Sequence, residues 1–122
     1  MKFLRFPKSI RLLKSAQFDR VMRRRLSASD DLIVVYVEQS EEQSTRLGLI
    51  VSRKCGNAIR RNWWKRCLRE AFRLVQHELP TAVDLVVLPR QGAVPHVDRL
   101  KKSLLHLTGK LAQRLAKSDS QS

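Results

Sequence analysis

Four basic residues, Arg61, Lys65, Arg69 and Arg73, recur at every fourth position of one segment, with Asn62 and Arg66 between them. On a helix at about 100° per residue, Lys65, Arg69, Asn62, Arg73 and Arg66 fall in that order within an arc of about 100°. Arg61 stands at its boundary. The chemistry such an arc can do is phosphate recognition: guanidinium groups make forked hydrogen bonds to phosphate oxygens, and an amide can donate and accept at a base edge or ribose. A merely solvated helix alternates its charges, because oppositely charged i,i+4 pairs stabilise it. Each like-charged pair instead costs about 0.2–0.5 kcal/mol in isolation. The run 61/65/69/73 contains three such pairs in succession, so an external anion is the expected counterpart.

Around that segment the sequence supplies the elements needed to hold it. Trp64, Cys67, Leu68, Ala71, Phe72, Val75 and Leu79 gather on the other side of the same wheel and should lie on a sheet, with Trp63 at the edge of that face. Gly56-Asn57 offers a turn and an N-cap, and Pro80 a stop, for a helix over roughly Ala58 to Glu78. Strands are predicted for Leu32 to Val37, Leu47 to Ser52 and Val83 to Leu88, the last stopped by Pro89, with a weaker one near Leu26 to Ala28. A short helix should start with Ser15 as N-cap and end near Arg24. The spacing of Val97, Leu100, Leu104, Leu107 and Leu111 marks a final amphipathic helix. The order, roughly α-β-β-β-α-β-α, is that of an α+β protein, an α/β sandwich of helices against one sheet. Residues 1–14 read as a basic lead-in, 15–117 as a single domain, and 118–122 as a frayed tail.

Charge distribution agrees with a nucleic-acid footprint. The 122 residues carry a formal net charge of +14, which is costly in self-repulsion unless a polyanion offsets it. Residues 2–25 hold nine Lys/Arg against Asp19, and residues 53–73 hold eight against Glu70, whereas 30–42 hold five acids and no base. The start of the chain has charges that interrupt any apolar run, so a secretory signal is not expected, and no stretch approaches a membrane span. A soluble, cytoplasmic protein is the expectation. Cys55 and Cys67 lack the neighbours a zinc site needs and read as free thiols; His77, His96 and His106 do not complete one. Asp30-Asp31 and Glu41-Glu42 read as solvent-facing turn residues, not a metal-binding nuclease centre, and His77 as a cap or surface residue at the end of the basic helix. No Ser/His/Asp or Cys/His nucleophile arrangement can be placed. A helix-turn-helix DNA reader would also have a basic helix, but a strand precedes this one. A structural RNA-binding protein of the ribosome or translation apparatus, or an independent nuclease, would fit the same size and charge.

The motifs resemble one family. Arg46 to Lys54 (RLGLIVSRK), then Gly56-Asn57-Ala58, Arg61-Asn62, Lys65-Arg66, Leu68-Arg69-Glu70 and Arg73, are similar to the signature of the bacterial ribonuclease P protein component. Residues 15–21 (SAQFDRV) look like that family's first helix, and Tyr36 stands where its second strand carries an aromatic. The likeness covers roughly residues 9–116. It implies a ribosomal-protein-S5-domain-2-like fold with a left-handed βαβ crossover. It also implies an endoribonuclease ribonucleoprotein that removes the 5′ leader of precursor tRNA, in which the RNA subunit cuts and binds most of the Mg²⁺, none being held by the protein alone. By resemblance, Arg61, Asn62, Lys65, Arg66, Arg69 and Arg73 would contact the catalytic RNA. Phe18, Tyr36, Arg53 and Lys54 would line a cleft for the single-stranded leader, held by stacking beside a basic groove. The expected partners are ribonuclease P RNA and precursor tRNA, with neither membrane nor DNA. The sequence departs from the pattern at Trp63-Trp64, where a basic and an aliphatic residue are commoner, at Met22, which replaces an aromatic, and at Arg25, where Gly is common.

Overall fold

The computed structural model describes residues 10–120. Helix α1 (Ser15–Arg24) is followed by strands β1 (Ser27–Ser29), β2 (Ile33–Gln39) and β3 (Arg46–Leu49), helix α2 (Ala58–Val75), strand β4 (Val83–Pro89) and helix α3 (Val97–Ser120). The four strands form one sheet in the order β1-β2-β4-β3. β2 is antiparallel to β1 and β4, while β3 runs parallel to β4. Two adjacent parallel strands need a long crossover, and here it is α2, the basic helix. The expected α+β architecture, three helices against one sheet, is what the chain adopts.

The two faces of the sheet follow from the alternation in β2. Ile33, Val35 and Val37 point to one face, together with Leu47, Leu85 and Val87, and there α2 and α3 bury Trp64, Leu68, Phe72, Leu100, Leu104 and Leu111. Tyr36 and Val86 point to the other, where α1 supplies Phe18, Val21 and Met22. Cross-strand partners share a face, so the register Arg46↔Asp84 and Gly48↔Val86 places those residues on the α1 side as well.

Several boundaries differ from the sequence expectation, each for a local reason. Ser15 is the first helical residue and not the cap; Lys14 is the N-cap, and the Gln17 side chain accepts from the N–H groups of Leu13 (2.7 Å) and Lys14 (3.0 Å). The third strand stops at Leu49, although Ile50 still donates to Val87 O at 3.1 Å. Helix α2 ends at Val75, and Gln76–Glu78 tighten into a 3₁₀ turn, a common way for a last turn to close. Pro89 is the last residue of β4 and not a stop beyond it. The described end of the basic lead-in is anchored to the sheet: Leu12 is buried, donates to Leu47 O at 3.0 Å, and lies next to a parallel bridge between Arg11 and Leu47. Residues 1–9 of that lead-in lie outside the described residues. At the other end α3 runs through Ser120, into the segment expected to fray; residues 121–122 also lie outside the described residues. Asp30, expected to face solvent, is half-buried and accepts from Leu32 N–H (2.8 Å), Ile33 N–H (3.0 Å) and the Ser103 hydroxyl.

Candidate nucleic-acid interface

Helix α2 begins where the sequence places it. Gly56 has φ +123°, a left-handed value that glycine tolerates best, and Asn57 Oδ1 accepts from Arg60 N–H at 2.9 Å. Trp64, Leu68, Ala71, Phe72 and Val75 are buried against the sheet. The wheel then dictates where the cations go: Asn62, Arg66 and Arg69 are exposed, Arg61 and Lys65 half-buried along the margin. Among the described residues, Arg61, Lys65, Arg66 and Arg69 form no ion pair. Arg61 Nε is buried without a hydrogen-bond partner among the described residues. Arg73 differs, because Glu70 one turn earlier takes its guanidinium in a two-point contact.

The helix dipole sharpens the electrostatics. Arg60 and Arg61 stand in the first turn, with no acid there to complement the positive end, an arrangement that destabilises the helix unless an anion sits nearby. Successive members of the row Arg61, Lys65, Arg69 rise about 6 Å along the axis. The flank is therefore a linear cationic edge about 12 Å long without an ion-pair partner among the described residues.

A second surface lies under α1. Phe18 and Tyr36 belong to one apolar cluster with Leu12, Val21, Met22, Ile50, Val86 and Leu88. Phe18 sits directly over Gly48, where an added Cβ would come within 2.6 Å of the ring; the glycine creates the seat for the aromatic. Arg53 and Lys54 lie in the exposed 3₁₀ turn Arg53–Cys55 that follows Ile50 and leads into α2. The two surfaces meet. A cavity of about 190 Å³ is lined by Phe18 together with Lys65 and Arg69, across Arg11, Leu12 and Leu49. Phe18, Lys65 and Arg69 are thus brought together, while Arg66 and Asn62 line a separate groove on the other side of α2.

Burial pushes the Cys67 thiol up, and the opposing influences of Arg66 and the Trp63 indole do not reverse it, so this sulfur is a poor thiolate. Among the described residues no group of three His, Cys, Asp or Glu could hold a metal ion, and no helix is long and apolar enough to cross a membrane.

The ribonuclease P family model matches residues 6–112. The chain belongs to the ribonuclease P protein family. It is 38% identical over 102 residues to the ribonuclease P protein component of Brevibacillus brevis, covering 82% of this chain and 81% of that one. With its counterpart in Chlamydia muridarum it is 41% identical over 106 residues, covering 86% and 88%. The Staphylococcus aureus RNase P protein structure superposes with a TM-score of 0.72 at 36% identity, over 86% of this chain and 96% of that one. The Thermotoga maritima protein gives 0.72 at 30% identity, over 82% and 96%. Membership makes it a protein component of ribonuclease P, an endoribonuclease of tRNA processing.

Within a ribonuclease P protein, the departures now have a structural setting. Arg25 caps α1 with φ 58°, donating its N–H to Met22 O, a left-handed backbone that glycine adopts most easily and that arginine fills in this chain. Trp64 is buried at 1% exposure while Trp63 keeps 44%, as the wheel predicts. Sequence reasoning missed Arg11 and Leu12 as lining of the Phe18 cavity. It also missed Asp84, fully buried and paired with both Arg20 and Arg46. A lone acid inside the apolar run Val83 to Leu88 was the available signal.

Proposed function

We propose that this protein binds the catalytic RNA of ribonuclease P through the flank of α2 and the 5′ leader of precursor tRNA through the cleft under α1. Arg61, Lys65, Arg66 and Arg69 neutralise RNA phosphates, and Asn62 reads a base edge or ribose. Arg73 adds least, because Glu70 already engages it. Phe18 and Tyr36 offer stacking faces that accept any base, which suits leaders of differing sequence; Arg53 and Lys54 supply charge where the strand leaves. The observation that carries this reading is a row of cations without ion-pair partners among the described residues, two of which, Lys65 and Arg69, share one cavity with Phe18.

The protein's part is then physical. It screens repulsion between two RNAs and fixes the leader beside the catalytic strand, while the RNA subunit cuts the phosphodiester. Mg²⁺ belongs mainly to that RNA, and no step is assigned to an ion held by these side chains. Such work takes place in the cytoplasm, where the precursor is made. Adding the purified protein to ribonuclease P RNA at low magnesium tests this: leader removal from precursor tRNA should rise, and no gain would contradict the reading.

A further inference from the structure

Beside the cationic row, α2 carries a second stripe of another kind. Ile59 is 81% exposed, Trp63 44% and Leu74 43%, at i, i+4 and i+15, one side of the helix. Trp63 and Ile59 open onto a groove of about 690 Å³ toward the start of α3, completed by Asn62, Arg66, Cys67 and Val97. The size is that of a small-ligand cleft.

The indole is set and not loose. Arg60 Cζ lies 5.8 Å from the centre of the Trp63 ring, within cation–π range, and Arg60 is itself fixed by donating to Ala93 O at 2.9 Å. The groove thus has an aromatic face, an amide that donates and accepts, and Arg66 at its rim. The one acid lining it, Glu70, is engaged with Arg73.

An apolar protein segment would have to bury Arg66 and Asn62 unpaired, a large desolvation penalty. A second copy of this chain brings another net charge of +14 to the same place. A nucleotide satisfies every group at once: base on indole, base edge on Asn62, phosphate on Arg66. We infer that the groove between α2 and α3 takes an unstacked nucleobase of the RNA bound by α2, stacked on Trp63. This rests on the reading of α2 as the RNA-binding helix and adds a stacking site to it.

Stacking and phosphate contact leave different marks. Loss of a stacked base weakens binding without changing its salt dependence; loss of a phosphate contact flattens the slope. The test compares Trp63→Leu, Trp63→Phe and Lys65→Ala for binding to ribonuclease P RNA over a range of KCl. Acrylamide quenching of wild-type fluorescence is followed in parallel, since Trp64 is buried and Trp63 is the accessible indole. The expected result is roughly tenfold weaker binding for Trp63→Leu at unchanged slope, near wild-type binding for Trp63→Phe, and RNA protection of Trp63 from acrylamide. Unchanged affinity of Trp63→Leu, beside a flattened slope for Lys65→Ala, overturns the stacking site and leaves α2 as RNA-binding. No effect from either overturns the α2 reading itself. A protein dimer by sedimentation that Trp63→Leu dissolves makes the groove a self-association surface and likewise overturns it.

Discussion

Two stretches of this chain are similarly rich in arginine, and the fold uses them in opposite ways. On α1, Arg20 donates to Gln39 O at 2.7 Å and pairs with Asp84, while Arg24 approaches Glu38 at 3.9 Å. Those cations tie the helix to the sheet. On α2, Arg61, Lys65, Arg66 and Arg69 have no such partners among the described residues. The α1 side is therefore left with aromatic and aliphatic surface for recognition, and the α2 side with charge. Density of positive charge alone does not separate scaffold from footprint; the location of the acids does. Asp84 and Glu38 lie on the α1 face of the sheet, and Glu70 reaches only the end of the α2 row.

The largest effect should come from the scaffold pair. Asp84 is fully buried, and Arg46 meets it with Nε at 2.8 Å and a second nitrogen at 2.7 Å; that contact also holds the Arg46 guanidinium above its ordinary pKa. Arg46→Ala leaves the carboxylate with Arg20 alone and should lower unfolding free energy by about 3 kcal/mol, read by urea denaturation. Next is Gly48→Ala, whose Cβ collides with the Phe18 ring. It should cost about 1–3 kcal/mol and, by displacing Phe18, reduce discrimination between precursor and mature tRNA in a binding assay. Lys65→Ala should do the reverse to stability, raising it by about 0.2–0.5 kcal/mol per relieved like-charge pair, while weakening RNA binding. A stability loss there comparable to Arg46→Ala would erase the contrast between the two stretches.

The smallest expected effect concerns pH. Burial of Asp30 would raise its pKa, but the Ser103 hydroxyl, the N–H groups of Ile33 and Leu32, and Arg99 outweigh it and hold the carboxyl below its usual value. A depressed folded-state pKa contributes stability that is complete above the unfolded value and fades as pH falls through the folded one. Unfolding free energy should therefore drop below about pH 4, and Ser103→Ala should shrink that drop, measured by denaturation at several pH values.

What could be read from sequence was what local pattern determines. The β-branched run from Leu32 to Val37 and the 3.6-residue period from Trp64 to Val75 specify a strand and a helix whatever the rest does, so the cationic arc could be drawn before any coordinates. Trp63 and Trp64 separated correctly for the same reason. What could not be read depends on register across long separations. Arg46 meets Asp84 because β3 and β4 pair in parallel, and Arg20 joins them from a third element. Likewise, Leu12 is covered because the lead-in runs along β3, and Phe18 reaches Lys65 and Arg69 only across that edge strand. Asp30 looked like a turn acid because its partner, Ser103, is on the last helix.

The central claim is that the flank of α2 is an electrostatic footprint for the catalytic RNA. Its most direct test is the salt dependence of binding between the full chain and ribonuclease P RNA, wild type against the triple variant Arg61→Ala, Lys65→Ala, Arg69→Ala. With the fold intact by circular dichroism, the log–log slope should become shallower by about 2–3, each of the three phosphates no longer neutralised accounting for about 0.7–0.9. A triple variant that binds with the wild-type slope would contradict the account.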